Sequence, residues 1–168
     1  PGGINPRKNL LRLLMAFSQI ANQVEHNLII SGIKNWKNKK EIKMINSMKE
    51  RVRILGYIPE KTLPAIYNLA DVCVYPSLYE GFGFPILEAQ ACGCPVICSN
   101  ISSMPEVGNK AVHYIDPYNI DDIRSSLIKV CTDRDYRNEL ISLGFENVKR
   151  FSWEKTALQI LAIMKSLV

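Results

Sequence analysis

Glu80 and Glu88 bracket the run Gly81-Phe82-Gly83-Phe84-Pro85-Ile86-Leu87. This run follows an apolar segment ending at Tyr75 and opens an apparent helix, Ile86 to about Cys92. Two glycines let a backbone turn tightly and approach a ligand without side-chain clash. Pro85 suits the first helical turn, where a missing N–H costs nothing. Free N–H groups at a helix start, with the helix dipole, favour a phosphate. Two carboxylates beside such a site would repel a phosphate, so they must contact something else. Sugar hydroxyls are natural partners, each charge-assisted hydrogen bond contributing about 1.5–3 kcal/mol. The bland alternative is a solvated loop residue at Glu80 and a dipole-favouring one at Glu88.

Other reactive groups assemble less well. His26 and His113 are the only histidines, and both read as structural. No Ser-His-Asp or Cys-His set can be built, and no carboxylate cluster has metal-ligand character. Cys73, Cys92, Cys94, Cys98 and Cys131 give an odd count. Their spacing matches no zinc pattern, and free thiols in a reducing compartment are the expectation. Trp36 and Trp153 are assigned to packing.

The elements that must position the loop alternate in kind. Asn27–Ser31, Arg51–Leu55, Asp71–Tyr75, Pro95–Cys98 and Ala111–Ile115 are short, β-branched or aromatic runs bounded by turn formers. Between them run helical stripes. The first is Leu10, Leu13, Leu14 and Phe17, with Asn5-Pro6 as turn or cap. The second is Ile42, Ile45 and Met48; the third is Leu63, Ile66, Tyr67 and Ala70, with Thr62 as cap. Ser103-x-x-Glu106 reads as a capping box. Ile120, Ile123, Leu127 and Val130 mark a further helix, with Asp121 and Asp122 favouring its N-terminal dipole. Two last helices span roughly 133–150 and 152 to the end, the second capped by Ser152 with Ala157, Ile160, Leu161 and Met164 as its apolar face. Asp116-Pro117 reads as a turn. This alternation predicts an α/β fold, a doubly wound parallel sheet of Rossmann-like type, in a single domain over residues 1–168. Ligands of such sheets bind outside the carboxyl ends of the strands.

At 168 residues the chain can bury a sizeable core. Its 47% hydrophobic and 22% charged content is ordinary for a globular protein. No run reaches the roughly 18 apolar residues of a membrane span, and no signal peptide pattern opens the chain. It begins at Pro1-Gly2-Gly3 without an initiator Met, as a piece of something larger would. The net charge of +5 fits either a Lys-rich solvated surface or attraction to phosphates and anionic lipid headgroups. No nucleic-acid motif appears, and no nucleic-acid partner is expected.

The segment Pro76-Ser-Leu-Tyr-Glu-Gly-Phe-Gly-Phe-Pro-Ile-Leu-Glu-Ala-Gln-Ala-Cys-Gly-Cys-Pro-Val-Ile97 resembles the signature of the family-four, group 1 glycosyltransferases of the GT-B fold. The likeness extends to Gly2–Leu10, Leu55–Glu60, Ser99–Glu106, Asp116-Pro117 and Phe151–Trp153. It implies a single GT-B half-domain, the C-terminal nucleotide-sugar-binding one, whose N-terminal acceptor domain is absent from this chain. By that resemblance Glu88 binds the ribose hydroxyls, and Glu80 orients the donor sugar and helps stabilise an oxocarbenium-like transition state. The amides of Gly81, Phe82, Gly83 and Phe84 hold the diphosphate and sugar. Leu87 lines the nucleotide site, Tyr57 and Ile58 border the base, and Lys8 neutralises the departing diphosphate, so Glu80 and Lys8 are the catalytic residues. Gly2 and Gly3 complete the binding loop. Gly3 stands where many members carry an arginine, and that role is not transferred to Arg7.

The implied reaction is transfer of a hexosyl group from a nucleoside-diphosphate sugar to an acceptor hydroxyl with retention of configuration. The implied partners are the donor, the chain's own N-terminal domain and a glycan or lipid-linked glycan acceptor. No cofactor and no metal are expected. The implied location is cytoplasmic, at the inner face of the cell membrane by peripheral association, in polysaccharide biosynthesis. The isolated domain is expected to bind donor weakly and to transfer nothing. A non-catalytic nucleotide-sugar-binding module is the alternative. A dinucleotide-dependent oxidoreductase is disfavoured, because no G-x-G-x-x-G follows a first strand.

Overall fold

The computed structural model describes residues 5–32 and 39–167. Gly2, Gly3 and Trp36 lie outside the described residues. The strands are β1 (Leu28–Ser31), β2 (Val52–Gly56), β3 (Cys73–Tyr75), β4 (Val96–Ser99) and β5 (His113–Ile115). The helices are α1 (Leu10–Ile20), α2 (Lys39–Ser47), α3 (Leu63–Leu69), α4 (Phe84–Ala91), α5 (Met104–Gly108), α6 (Ile120–Thr132), α7 (Arg134–Val148) and α8 (Trp153–Ser166). Each expected strand and helix is present, with ends shifted by a few residues.

All the strand pairs are parallel. Among the described residues the pairing is divided, within the expected parallel α/β arrangement. The strands make two sheets, β1-β2 and β3-β4-β5.

Side-chain alternation on β4 shows how both faces are covered. Val96 and Cys98 point to a cluster with Ile86 and Ala89 of α4 and Met104 and Val107 of α5. Ile97, between them, points to the opposite cluster with Leu14 and Phe17 of α1 and Ile123 and Val130 of α6. A strand buried on both faces reads as a near-continuous apolar run, and β4 is buried throughout, with Ser99 at its end the one polar residue. The helix stripe 10, 13, 14, 17, 20 of α1 is buried as its spacing requires.

The capping expectations divide. Ser152 caps α8 by accepting from Lys155 N, and Asn119 caps α6 by accepting from Asp121 and Asp122 N. Thr62 does not cap α3: it ends a 3-10 turn, Glu60–Thr62, and is itself helical. Ser103 does not form the capping box either, being helical and making no cap bond. Its hydroxyl is oriented instead as a donor to two loop carbonyls, described below. Helix α8 forms, but every described residue on it is exposed, including Ala157, Ile160, Leu161 and Met164.

His113 is structural as expected, with Nδ1 at 2.9 Å from Tyr136 Oη and Nε2 at 2.9 Å from Ser126 Oγ. Burial, with the nearby Lys129 charge, lowers its pKa and favours the neutral ring. Asp116-Pro117 is a turn, with Asp116 Oδ1 accepting from Tyr118 N at 2.9 Å. The cysteines are free thiols, two half-buried and three buried.

Leu14 is fully buried between α1 and the sheet. Leu14→Ala should lower the unfolding free energy by about 2–5 kcal/mol through lost transfer and a residual cavity, read as a lower urea midpoint with an unchanged slope.

Candidate functional site

The site stands at the carboxyl end of β3. Glu80 is only 8% exposed there, and a carboxylate so placed needs partners. Lys8 Nζ donates to Glu80 Oε1 at 2.7 Å, and Arg7 Nη1 donates to Oε2 at 2.9 Å. Burial works against the charged carboxylate, but hydrogen bonding from Lys8 and the Lys8 charge outweigh it, so the pKa falls below its ordinary value of 4.5. Lys8 also donates to Tyr75 Oη at 3.1 Å and lies 4.8 Å from that ring's centroid. An ammonium has three protons. Two are used, and the third has no acceptor among the described residues. Burial and the Glu80 charge push the Tyr75 phenol up, so it stays protonated.

Residues far apart in sequence make this possible. Pro6–Lys8 form one 3-10 turn, with Pro6 at its first position. Asn9 then adopts the left-handed conformation, φ 58°, and α1 starts. Asn tolerates that region better than most residues. Its buried Nδ2 donates to Pro76 O at 3.1 Å and to Pro117 O at 2.7 Å. Leu78 N donates to Arg7 O at 2.8 Å. The turn carrying Lys8 is thus bonded to the loops after β3 and β5.

The glycine loop is held from a second side. Ser102 Oγ donates to Glu80 O at 2.8 Å and accepts from Glu80 N at 3.1 Å. Ser103 Oγ lies 2.7 Å from Phe82 O and 3.1 Å from Glu80 O, so its one proton is shared between two carbonyls of the loop. Ser102 takes the left-handed region to do this, φ 59°. Gly83 precedes α4 at φ 110°, where any Cβ is strained. With the loop carbonyls so occupied, the N–H groups of Gly81, Phe82, Gly83 and Phe84 donate to nothing among the described residues. They are available to an anion at the start of α4. The side chains of Phe82 and Phe84 pack aside, centroids 4.6 Å apart, against Phe151 and Trp153.

Glu88 sits one turn into α4, half-buried. Tyr67 Oη of α3 donates to its Oε2 at 3.0 Å. Leu87 is half-buried beside it. Tyr57 and Ile58 follow β2, the first exposed and the second buried. No hydrogen bond or ring contact among the described residues joins either to the Lys8–Glu80 cluster. The structure therefore brings together Lys8, Glu80 and the loop 81–84, and places Glu88 one turn further along the same helix. Two expectations change. Glu80 is not a bare negative charge beside a phosphate, because two cations compensate it. Arg7, given no role from sequence, is one of them. Ser102 and Ser103 were also missed as loop anchors; the only sequence signal, a capping-box pattern, pointed elsewhere.

Residues 1–147 match the family described as glycosyl transferases group 1. The chain belongs to the group 1 glycosyltransferases. Among relatives, it is 37% identical over 170 residues to the O-antigen chain mannosyltransferase B of Escherichia coli, covering 99% of this chain and 45% of that protein. Among solved structures, sucrose-phosphate synthase of Thermosynechococcus elongatus superposes with a TM-score of 0.82 at 26% identity, over 99% of this chain and 45% of that one. A protein of Anabaena, solved with UDP and glucose, superposes with a TM-score of 0.81 at 22% identity, over 98% of this chain and 47% of that one. The chain spans less than half the length of the relatives it matches. No described helix of this glycosyltransferase chain is long and apolar enough to cross a membrane.

Two outcomes test the geometry. The folded pKa of Glu80 lies below its unfolded value, so its stabilisation is complete above the usual carboxylate range and is lost as pH falls through the lowered value. Glu80→Gln should remove that acid-side component from a plot of melting temperature against pH. Ser103→Ala deletes a donor to two carbonyls and should cost about 0.5–1.5 kcal/mol. It should also speed hydrogen exchange at Gly81–Phe84, and unchanged exchange there would show that the hydroxyl does not anchor the loop.

Proposed function

We propose that this chain is the donor-binding domain of an enzyme that transfers a hexosyl group from a nucleoside-diphosphate sugar to an acceptor hydroxyl with retention of configuration. The observation that carries the proposal is the Lys8 ammonium, fixed by Glu80 and Tyr75 beside a loop whose N–H groups at 81–84 donate to nothing among the described residues. One cation with a proton to spare, next to a row of amides at a helix start, neither taken up by any described residue, suits a diphosphate. The relatives' names favour mannose as the sugar and a growing polysaccharide as the acceptor.

In this reading Glu88 accepts from the ribose hydroxyls and Glu80 from a sugar hydroxyl. Leu87 lines the nucleotide, and Tyr57 and Ile58 border the base. The bond from the anomeric carbon to the diphosphate oxygen breaks. The acceptor oxygen attaches on the same face, and its proton passes to the departing diphosphate. Negative charge grows on that leaving group, and Lys8 is already in place to meet it. A preorganised cation of this kind is a large catalytic contribution. Arg7 frees Lys8 for this work by carrying part of the Glu80 charge. The acceptor binds on a second, N-terminal domain of the longer protein, so the chain by itself binds donor and transfers nothing. The positive net charge supports peripheral association with an anionic membrane face, where a lipid-linked acceptor would lie.

The experiment uses the longer protein with UDP-, GDP- and ADP-linked hexoses. One base series should raise the melting temperature and support transfer. Glu88→Ala should weaken nucleotide binding by about tenfold to a hundredfold, the equivalent of one charged hydrogen bond. Lys8→Ala should lower kcat by about 10²–10³. Binding of a nucleotide sugar with neither transfer nor hydrolysis would make the protein a binding module instead. If no nucleotide binds, or both variants match the wild type, the site assignment fails.

A further inference from the structure

Glu80 and Glu88 are satisfied by opposite means. Glu80 meets two cations, Lys8 and Arg7. Among the described residues no lysine, arginine or histidine pairs with Glu88. Its side-chain partner among them is the Tyr67 hydroxyl, which donates to Oε2 at 3.0 Å. The difference has a chemical consequence. A cation orients a carboxylate and also compensates its charge. A neutral phenol orients it and leaves that charge in place for other donors.

The phenol is itself fixed. Tyr67 lies on α3, which follows the 3-10 turn Glu60–Thr62 and the segment Tyr57-Ile58 before it. Its ring packs on the cluster that holds Ile86 and Ala89 of α4 and Cys94. It therefore reaches Glu88 from a neighbouring helix, with a side chain that has fewer torsions to fix than a glutamate. Burial above all, with Cys73 and Glu88 nearby, pushes the phenol well up. The hydroxyl keeps its proton and stays a donor.

The acceptor positions left on Glu88 fit a diol. An ionised carboxylate offers about four lone-pair directions. Tyr67 takes one, and Oε1 accepts from nothing among the described residues. The vicinal hydroxyls of a ribose bring one proton each. Glu88 lies one turn into α4, beyond the amides that open that helix. The order along the helix is thus the order along a nucleotide, phosphate first and ribose next.

We propose that Tyr67 is a positioning residue for nucleotide binding, which presets the Glu88 carboxylate, without compensating its charge, to accept from both hydroxyls of a ribose diol. The inference rests on the donor reading above. It adds a residue outside the glycine motif that acts through Glu88 rather than by touching the nucleotide. It also joins the segment assigned to the base, through α3, to the residue assigned to the ribose.

The test titrates UDP, GDP and ADP, and their 2′,3′-dideoxy forms, into the longer protein. Wild type, Tyr67→Phe, Glu88→Ala and the double variant are compared, after each is shown to melt as a folded protein. Tyr67→Phe deletes one hydroxyl and should raise Kd for the accepted nucleotide about threefold to thirtyfold. KM for the nucleotide sugar should rise by the same factor with kcat unchanged, as expected when uniform binding is lost. In the Glu88→Ala background the same change should move Kd by less than about twofold. The dideoxy form should bind wild type and Tyr67→Phe alike. If Glu88→Ala weakens the nucleotide and Tyr67→Phe does not, the inference fails while the donor reading stands. A Tyr67→Phe loss that persists without Glu88, or falls equally on the dideoxy form, assigns Tyr67 to packing and also overturns it. Wild type that binds the dideoxy form as tightly as the parent nucleotide overturns it without any variant. If Glu88→Ala leaves nucleotide binding unchanged, the ribose assignment of the donor reading fails, and the inference with it.

Discussion

The need to compensate one buried carboxylate organises this end of the molecule. Glu80 cannot stay charged in so enclosed a position without cations and donors around it. Its two oxygens take Lys8 and Arg7 from the turn before α1. Its backbone N–H and C=O take the hydroxyls of Ser102 and Ser103 from the turn after β4. Two segments distant in sequence are thereby tied to one residue. The cost of burying the charge is offset by contacts that also fix the shape of the glycine loop. That shape leaves the amides at 81–84 without acceptors among the described residues, which is the property a phosphate site requires.

Asn9 does for the first turn what the serines do for the loop. Its left-handed backbone lets a 3-10 turn end and an α-helix begin without a break. Its side chain then holds that junction against the loops after β3 and β5. Lys8 is placed by backbone geometry rather than by its own long side chain, which would otherwise lose much conformational entropy on being fixed. Glu88 is steadied differently, by a phenol from α3. Burial, with nearby charges including Glu88, pushes the Tyr67 hydroxyl well up, so it remains a donor. The two glutamates of the motif thus sit in distinct environments, one ion-paired and one accepting from a neutral hydroxyl.

Much of this was legible because it is local. Strand and helix periodicities are set by which side chains face the core, and each element formed where its pattern lay. Glu80, Glu88, Lys8 and the glycines were recognisable as a motif. What failed was also local in kind. Ser103 carries the pattern of a helix cap, yet its hydroxyl accepts from no helix N–H and instead donates to the carbonyls of Glu80 and Phe82, which the fold brings beside it. Thr62 is absorbed into a 3-10 turn before it can cap. Helix α8 has the apolar residues its pattern predicts, but among the described residues nothing buries them, since periodicity specifies a face and not its partner.

The sequence by itself determined the α/β alternation, the glycine-bearing helix start and the family to which the chain belongs. Residue type and spacing suffice for those, because they depend on backbone freedom, capping and one-sided apolarity. Only the tertiary structure decided that Glu80 is paired rather than bare, that Arg7 shares the pairing and that two serines lock the loop. It alone showed that, among the described residues, the strands pair as β1-β2 and β3-β4-β5. These depend on distances between residues some 20 to 73 positions apart, and no local pattern encodes which distant side chain will reach a given atom.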